Sequence, residues 1–183
     1  MEDTVISIIA IISSAVIMFF APTILIADRS DDISQLLVQT ATAEFVNEVV
    51  KSGKITVENY QRFISSLQSS GNTYDVDVEV KILDETTSKI VTDVDNKKIG
   101  NNTYYSLFTS QIEDKLGISS QITTNNRYGQ LILKQGDLIS ATVKNNSQTL
   151  SQSLKSFYFS ATSGDLHIIA ASSSGTININ GST

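Results

Sequence analysis

From Thr4 to Ala27 the chain runs 24 residues without a charged side chain. No other feature constrains its fold as tightly. As a helix, that stretch would be about 36 Å long, at about 1.5 Å per residue. A bilayer's hydrocarbon core is about 30 Å thick. The segment is dominated by Ile, Val, Ala and Phe, with Ser7, Ser13, Ser14 and Thr23 as minor polar members. Ser and Thr hydroxyls bond back to a carbonyl one turn earlier, which makes them tolerable in lipid. The stretch therefore reads as a membrane span over about 4–27.

A secretory signal fits this stretch poorly. Signals carry a basic leader, a shorter apolar core of about 7–15 residues and a small-residue cleavage site. Here Met1, Glu2 and Asp3 precede the span, and the first basic residue is Arg29. Nothing basic holds the N-terminus in the cytoplasm. Either a basic leader has already been removed, or the chain inserts by another route.

Two details of the span point towards helix packing. Pro22, the chain's only proline, removes one backbone donor and crowds the carbonyl of Met18. Neighbouring helices or local unwinding accommodate such a gap. Glu2 and Asp3 sit at the start of the span, where either carboxylate could pair with the N-terminal ammonium of a second copy. Such a pair would fix the axial register, because an unpartnered charge in apolar surroundings is expensive. The simpler reading leaves both acids in headgroup water.

The helical pattern continues past the span. Val38, Ala41, Phe45 and Val49 recur at steps of three and four, with Val46 and Val50 beside them. That spacing predicts an amphipathic helix over 32–52, stopped by Gly53. One long helix over 3–52 is the expectation, with the polar stretch 28–32 as a candidate hinge. The division that follows is 1–52 as the N-terminal helix and 53–183 as a globular head.

In the head, Thr56 is a candidate N-cap, with Glu58 in the first turn and Val57, Tyr60, Ile64 and Leu67 on one face; Gly71 ends that helix. "YDVDVEVKIL" then alternates strictly. It places Tyr74, Val76, Val78, Val80 and Ile82 on a buried face and Asp75, Asp77, Glu79 and Lys81 on a wet one. Further expectations are a strand at 89–94, a helix over 102–117 stopped by Gly117, and hairpins around Gln135-Gly136 and Ser163-Gly164. In the second hairpin Leu166, Ile168 and Ala170 would face one way, and a short strand is expected at 176–180. The class is α+β: a long N-terminal hydrophobic and amphipathic helix, then a head with a mainly antiparallel sheet and one or two short helices.

Composition narrows the chemistry. Cysteine is absent, which excludes disulfides, thiolate metal sites and Cys nucleophiles. The net charge of −6 argues against non-specific nucleic-acid binding. Residues 1–85 carry net −8 and residues 86–183 net +2. Copies could attract through that asymmetry, although solvated surface is the simpler account. The single histidine, His167, has no Asp–Ser set beside it and reads as structural. Lys97 stands where a calcium loop at 93–97 would need an oxygen ligand. Asp75, Asp77 and Glu79 read as a solvated face rather than a cation site. Tyr104, Tyr105, Phe157, Tyr158 and Phe159 read as core. Asn101 and Asn145 begin acceptor triplets for glycosylation, a pattern frequent by chance in so Asn- and Ser-rich a chain. No enzyme activity and no cofactor are expected.

An acid near the start (Glu2 or Asp3), the apolar span 4–27 with Pro22 part-way along, an amphipathic continuation over 32–52 and a polar α+β head: this order resembles type IV pilins and pseudopilins. The stretch "GKITVENYQRFISSLQSSGNTYDVDVEV" also looks like segments of small proteins encoded with tight-adherence-type pilus systems of Gram-positive bacteria. The resemblance rests on about the first 50 residues. It departs from the family in three ways: the acids stand closer to the start than family members place theirs, Met1 precedes them where members often begin with an aromatic residue, and the cysteine pair common in Gram-negative heads is missing. It implies a membrane precursor, processed by a prepilin-peptidase-like enzyme and polymerised by assembly-platform proteins into an extracellular homopolymer. Its N-terminal helices would form the filament core, through Glu2, Asp3, Ile8, Ile12, Val16, Phe19, Phe20 and Pro22. The alternative reading is a single-pass anchored binding module, or a minor pseudopilin of a secretion or conjugation machine.

Overall fold

A computed structural model describes residues 2–83, 104–118, 129–159 and 168–181, with the side chains of Glu2 and of residues 157–159 left out. The first element, α1, is one helix from Glu2 to Ser52. It passes without a break through 28–32, where a hinge was a candidate. Hydroxyls along it bond back one turn: Ser7 to the Asp3 carbonyl, Thr23 to Phe19, Ser34 to Ser30 and Thr42 to Val38. The helix stops where expected. Gly53 adopts φ +67°, and its N–H donates to the Val49 carbonyl at 2.8 Å.

The head follows in the order β1 (Lys54–Thr56), α2 (Val57–Gln68), β2 (Tyr74–Leu83), β3 (Tyr104–Phe108), α3 (Thr109–Leu116), β4 (Gln130–Ile132), β5 (Leu138–Asn145), α4 (Leu150–Phe159) and β6 (Ala170–Thr176). A four-stranded sheet has the order β3-β2-β5-β6, and β1 and β4 form a separate pair; all neighbours are antiparallel. Thr56 caps α2 as expected, and Asn59 closes a reciprocal cap. The Asn59 N–H donates to Thr56 Oγ1 at 3.2 Å, and the Thr56 N–H to Asn59 Oδ1 at 2.9 Å.

The core lies between the rear half of α1, the inner face of the large sheet, and α2 and α3. Val38, Ala41, Phe45, Val46 and Val49 of α1 are buried with Val78 and Val80 of β2 and Ile139, Ala141 and Val143 of β5. Phe45 stacks on Phe63 at 4.5 Å and meets Tyr60 edge-on. The amphipathic half of α1 is thus part of the head's own core. Its close approach to β6 depends on small residues there. Ala171, Ser173 and Gly175 stand opposite buried Val143, Ala141 and Ile139. A Cβ on Gly175 would come within 2.7 Å of Val50 Cγ2.

Several expectations are corrected. Residues 104–108 form β3, a strand, and only 109–116 form a helix, ended by Gly117 in the left-handed region. The alternation of β2 leaves an open edge that 104–108 fill, with Leu107 buried opposite Val80. On that outer strand Tyr104 and Tyr105 are exposed, not core. Residues 130–145 are not a hairpin: β4 pairs with β1, while β5 pairs with β2 and β6. Asp137 diverts the chain between them. Its buried carboxylate accepts the N–H groups of Lys134 (2.8 Å) and Leu83 (2.9 Å). Residues 155–159 lie in α4 rather than in a strand. Ile169, not Ile168, is buried. The last strand is 170–176, and Ile177 is anchored behind it by backbone bonds to Gly136 and Asp137. The strand expected at 89–94, the loop 93–97, Asn101, the Ser163-Gly164 turn and His167 lie outside the described residues.

Candidate assembly surface

The front of α1 is an apolar rod without cover from the head. Ile8, Ile12, Val16, Phe19 and Pro22 are exposed, and Phe20 is half-exposed. Ile8, Ile12, Val16 and Phe20 step by four and form one ridge, the kind of row that packs into the groove of a second helix. Phe19 lies about 100° round the helix from Phe20, and Pro22 on nearly the opposite face from Phe20. By length and composition, α1 is the one helix among the described residues apolar and long enough to cross a membrane. Burial begins at Ala27, so the bare stretch 5–26 is about 33 Å long.

Within this rod the polar atoms are handled locally. Thr23 Oγ1 donates to the Phe19 carbonyl at 2.8 Å, one residue beyond Pro22, and Ser7 Oγ to the Asp3 carbonyl at 2.8 Å. Pro22 sits inside a helix that stays regular on both sides. Asp3 is exposed in the first turn, where a carboxylate is favoured by the helix dipole; Glu2 shares that turn.

Where the rod meets the head, a polar collar replaces the anticipated hinge. Asp28, Asp31 and Gln35 lie on one face of α1, spaced by three and four. Asp31 is buried, and its Oδ2 accepts the Thr149 hydroxyl at 2.7 Å. Asp28 accepts the Ser151 hydroxyl and pairs with Lys155 Nζ at 2.6 Å. Thr149 also caps α4, accepting the Gln152 N–H at 3.3 Å. Two carboxylates thus face the N-terminal turn of α4, where its dipole favours negative charge. Gln35 uses both ends of its amide on Ala170, donating to the carbonyl at 2.8 Å and accepting the N–H at 3.0 Å. Reading the sequence alone missed this collar. Its only trace there is the 28-31-35 spacing, and the partners lie more than 100 residues away.

The outer face of the large sheet is hydrophilic. Asp75 and Asp77 are exposed, and Ser140, Thr142 and Ser172 lie on the neighbouring strands. The acids enter local bonds. Asp75 accepts the Asn146 amide at 2.8 Å, and Glu79 accepts the Ser106 hydroxyl at 2.7 Å with Lys81 Nζ at 3.7 Å. An open groove of about 570 Å³ runs past Asp77, Glu79, Phe108 and Thr142. Among the described residues no three His, Cys, Asp or Glu side chains converge as metal ligands would. Asn145 has a structural role. Its Oδ1 accepts the Ile169 N–H at 3.1 Å, and its Nδ2 donates to the Ser147 carbonyl at 3.0 Å. No family model, no curated protein and no solved structure matches the chain.

Proposed function

We propose that this chain is a structural, non-enzymatic subunit of an extracellular filament. It resides first in the membrane through α1 and then polymerises with copies of itself for adhesion, motility or a related surface task. The observation that carries this reading is the uncovered rod 5–26, fused without a break to a helix half that is buried in the head. A rod of this kind needs a cover, either lipid or other rods. Lipid is as apolar as the rods, so rod-to-rod packing within the membrane gains from close fit and paired polar groups. Once outside, burial from water adds about 1.5–3 kcal/mol for each large aliphatic side chain fully covered. Ile8, Ile12, Val16, Phe19 and Phe20 would then line the filament core, with Glu2 and Asp3 setting the register. The sheet's Ser- and Thr-rich outer face would coat the fibre. Prepilin-peptidase-like and platform proteins would act on the precursor, and no cofactor takes part.

Electron microscopy of the material sheared from cells, and of the full chain after detergent removal, tests this reading. Uniform fibres that contain the chain are expected. Discrete particles that stay in detergent or lipid would overturn the proposal in favour of a single-pass anchored module.

A further inference from the structure

We infer that the face of α1 opposite the head, over Pro22–Leu36, is a seam for a second, parallel copy of this chain, and that Arg29 and Asp32 set its offset. The inference rests on the filament reading above. The buried side of α1 at this level is marked by Ala27, Asp31, Ser34 and Val38. Pro22, Ile26, Arg29, Ile33 and Leu36 lie on the opposite side, at steps of four, three, four and three, and all five are exposed. An alternation of three and four is the 3.5-residue repeat of a left-handed pair of helices.

Ile33 and Leu36 make the lipid explanation insufficient. Each leaves about two thirds of its surface open, at 66% and 65%. They stand roughly 10 and 15 Å beyond Ile26 along the helix, past the end of a hydrocarbon core that covers 5–26. The head does not cover them either, because they lie on its far side. A second helix with the same stripe would.

Charge then favours one offset. Arg29 sits inside the stripe and Asp32 at its flank, and neither side chain forms a hydrogen bond or ion pair with another described residue. Both border an open hollow of about 560 Å³ on α1, shared with Pro22, Leu25, Ile26 and Asp28. Two parallel copies in exact register would set Arg29 against Arg29. A shift of three residues, about 4.5 Å, places Arg29 of one copy beside Asp32 of the next. It also places Ile33 against Leu36 and lays the aliphatic stem of Arg29 on Ile26.

The chain has no cysteine, so single cysteines report this contact cleanly. Full-length Ile33→Cys and Leu36→Cys chains are mixed under assembly conditions and oxidised. Mixed 33–36 cross-links are expected to outnumber 33–33 cross-links. Arg29→Asp and Asp32→Arg, introduced singly into these chains, are each expected to lower the mixed yield about tenfold through like-charge contact. The double swap is expected to restore most of it. Single variants that cross-link as the parent does, or a double swap that rescues nothing, would overturn the seam while the fibres persist. Labels at residue 33 quenched by lipid headgroups, without cross-links, would also overturn it by assigning the face to the membrane. A parent chain that never associates would overturn both the seam and the filament reading.

Discussion

At the scale of single residues, Tyr60 shows how the head is tied together. It is buried on α2, and its hydroxyl donates to Glu113 Oε1 at 2.7 Å. Burial, then that bond and the Glu113 charge, push the phenol well above its ordinary value near 10. The unfolded chain loses this proton at about pH 10 while the folded one keeps it. The stabilisation is therefore complete below about pH 10 and declines as the pH rises beyond it. Tyr60→Phe should cost about 1 kcal/mol at neutral pH and flatten that alkaline decline. Urea denaturation of both proteins in one detergent, repeated across pH, checks this; two parallel declines would refute it. The place of Tyr60 in the core was legible from its helical spacing with Leu67. The bond to Glu113 was not, because it joins residues 53 apart. The spacing also pointed to Ile64, where the structure buries Phe63 more deeply. Phe63 stacks on Phe45, and Tyr60 and Leu67 keep their buried places beside it.

At the scale of elements, the polar collar holds α4 against α1. Asp31→Ala removes the acceptor of the Thr149 hydroxyl and leaves a buried cap short of a partner. The expected cost is about 1–3 kcal/mol, with faster hydrogen exchange concentrated in 150–159. Asp31→Asn, which keeps an acceptor oxygen, should lose less. Exchange unchanged in α4 would show that its docking does not depend on this bond. The same elements mark where sequence reading stopped. β2 was legible because its alternation is unbroken over the nine residues Tyr74–Ile82, and α1 because its period holds over several turns. The segments 104–108 and 155–159 are short aromatic runs that satisfy either period. What decides between strand and helix there is the neighbour: β2 offers 104–108 an edge, and the α1 carboxylates offer α4 an N-terminal anchor.

At the scale of the whole molecule, the order of rod, amphipathic continuation and α+β head could be read from hydropathy alone. The welding of the continuation into the head's core could not, since the small residues that permit it lie on β6, far along the chain. Replacing Glu2 by Gln and Asp3 by Asn tests the assembly role given to the first turn. Fewer or shorter fibres are expected by electron microscopy at unchanged subunit level. Fibres normal in number and length would remove the idea of a pairing with the N-terminal ammonium.

The continuity of α1 from Glu2 to Ser52 has a mechanical consequence. The helix is the head's spine as well as its mast, so there is no swivel between them. Leaning the front half by about ten degrees would carry the far end of the roughly 76 Å helix sideways by about 13 Å. The sheet would swing with it. The direction in which the strands face is then dictated by the angle at which the mast is stepped.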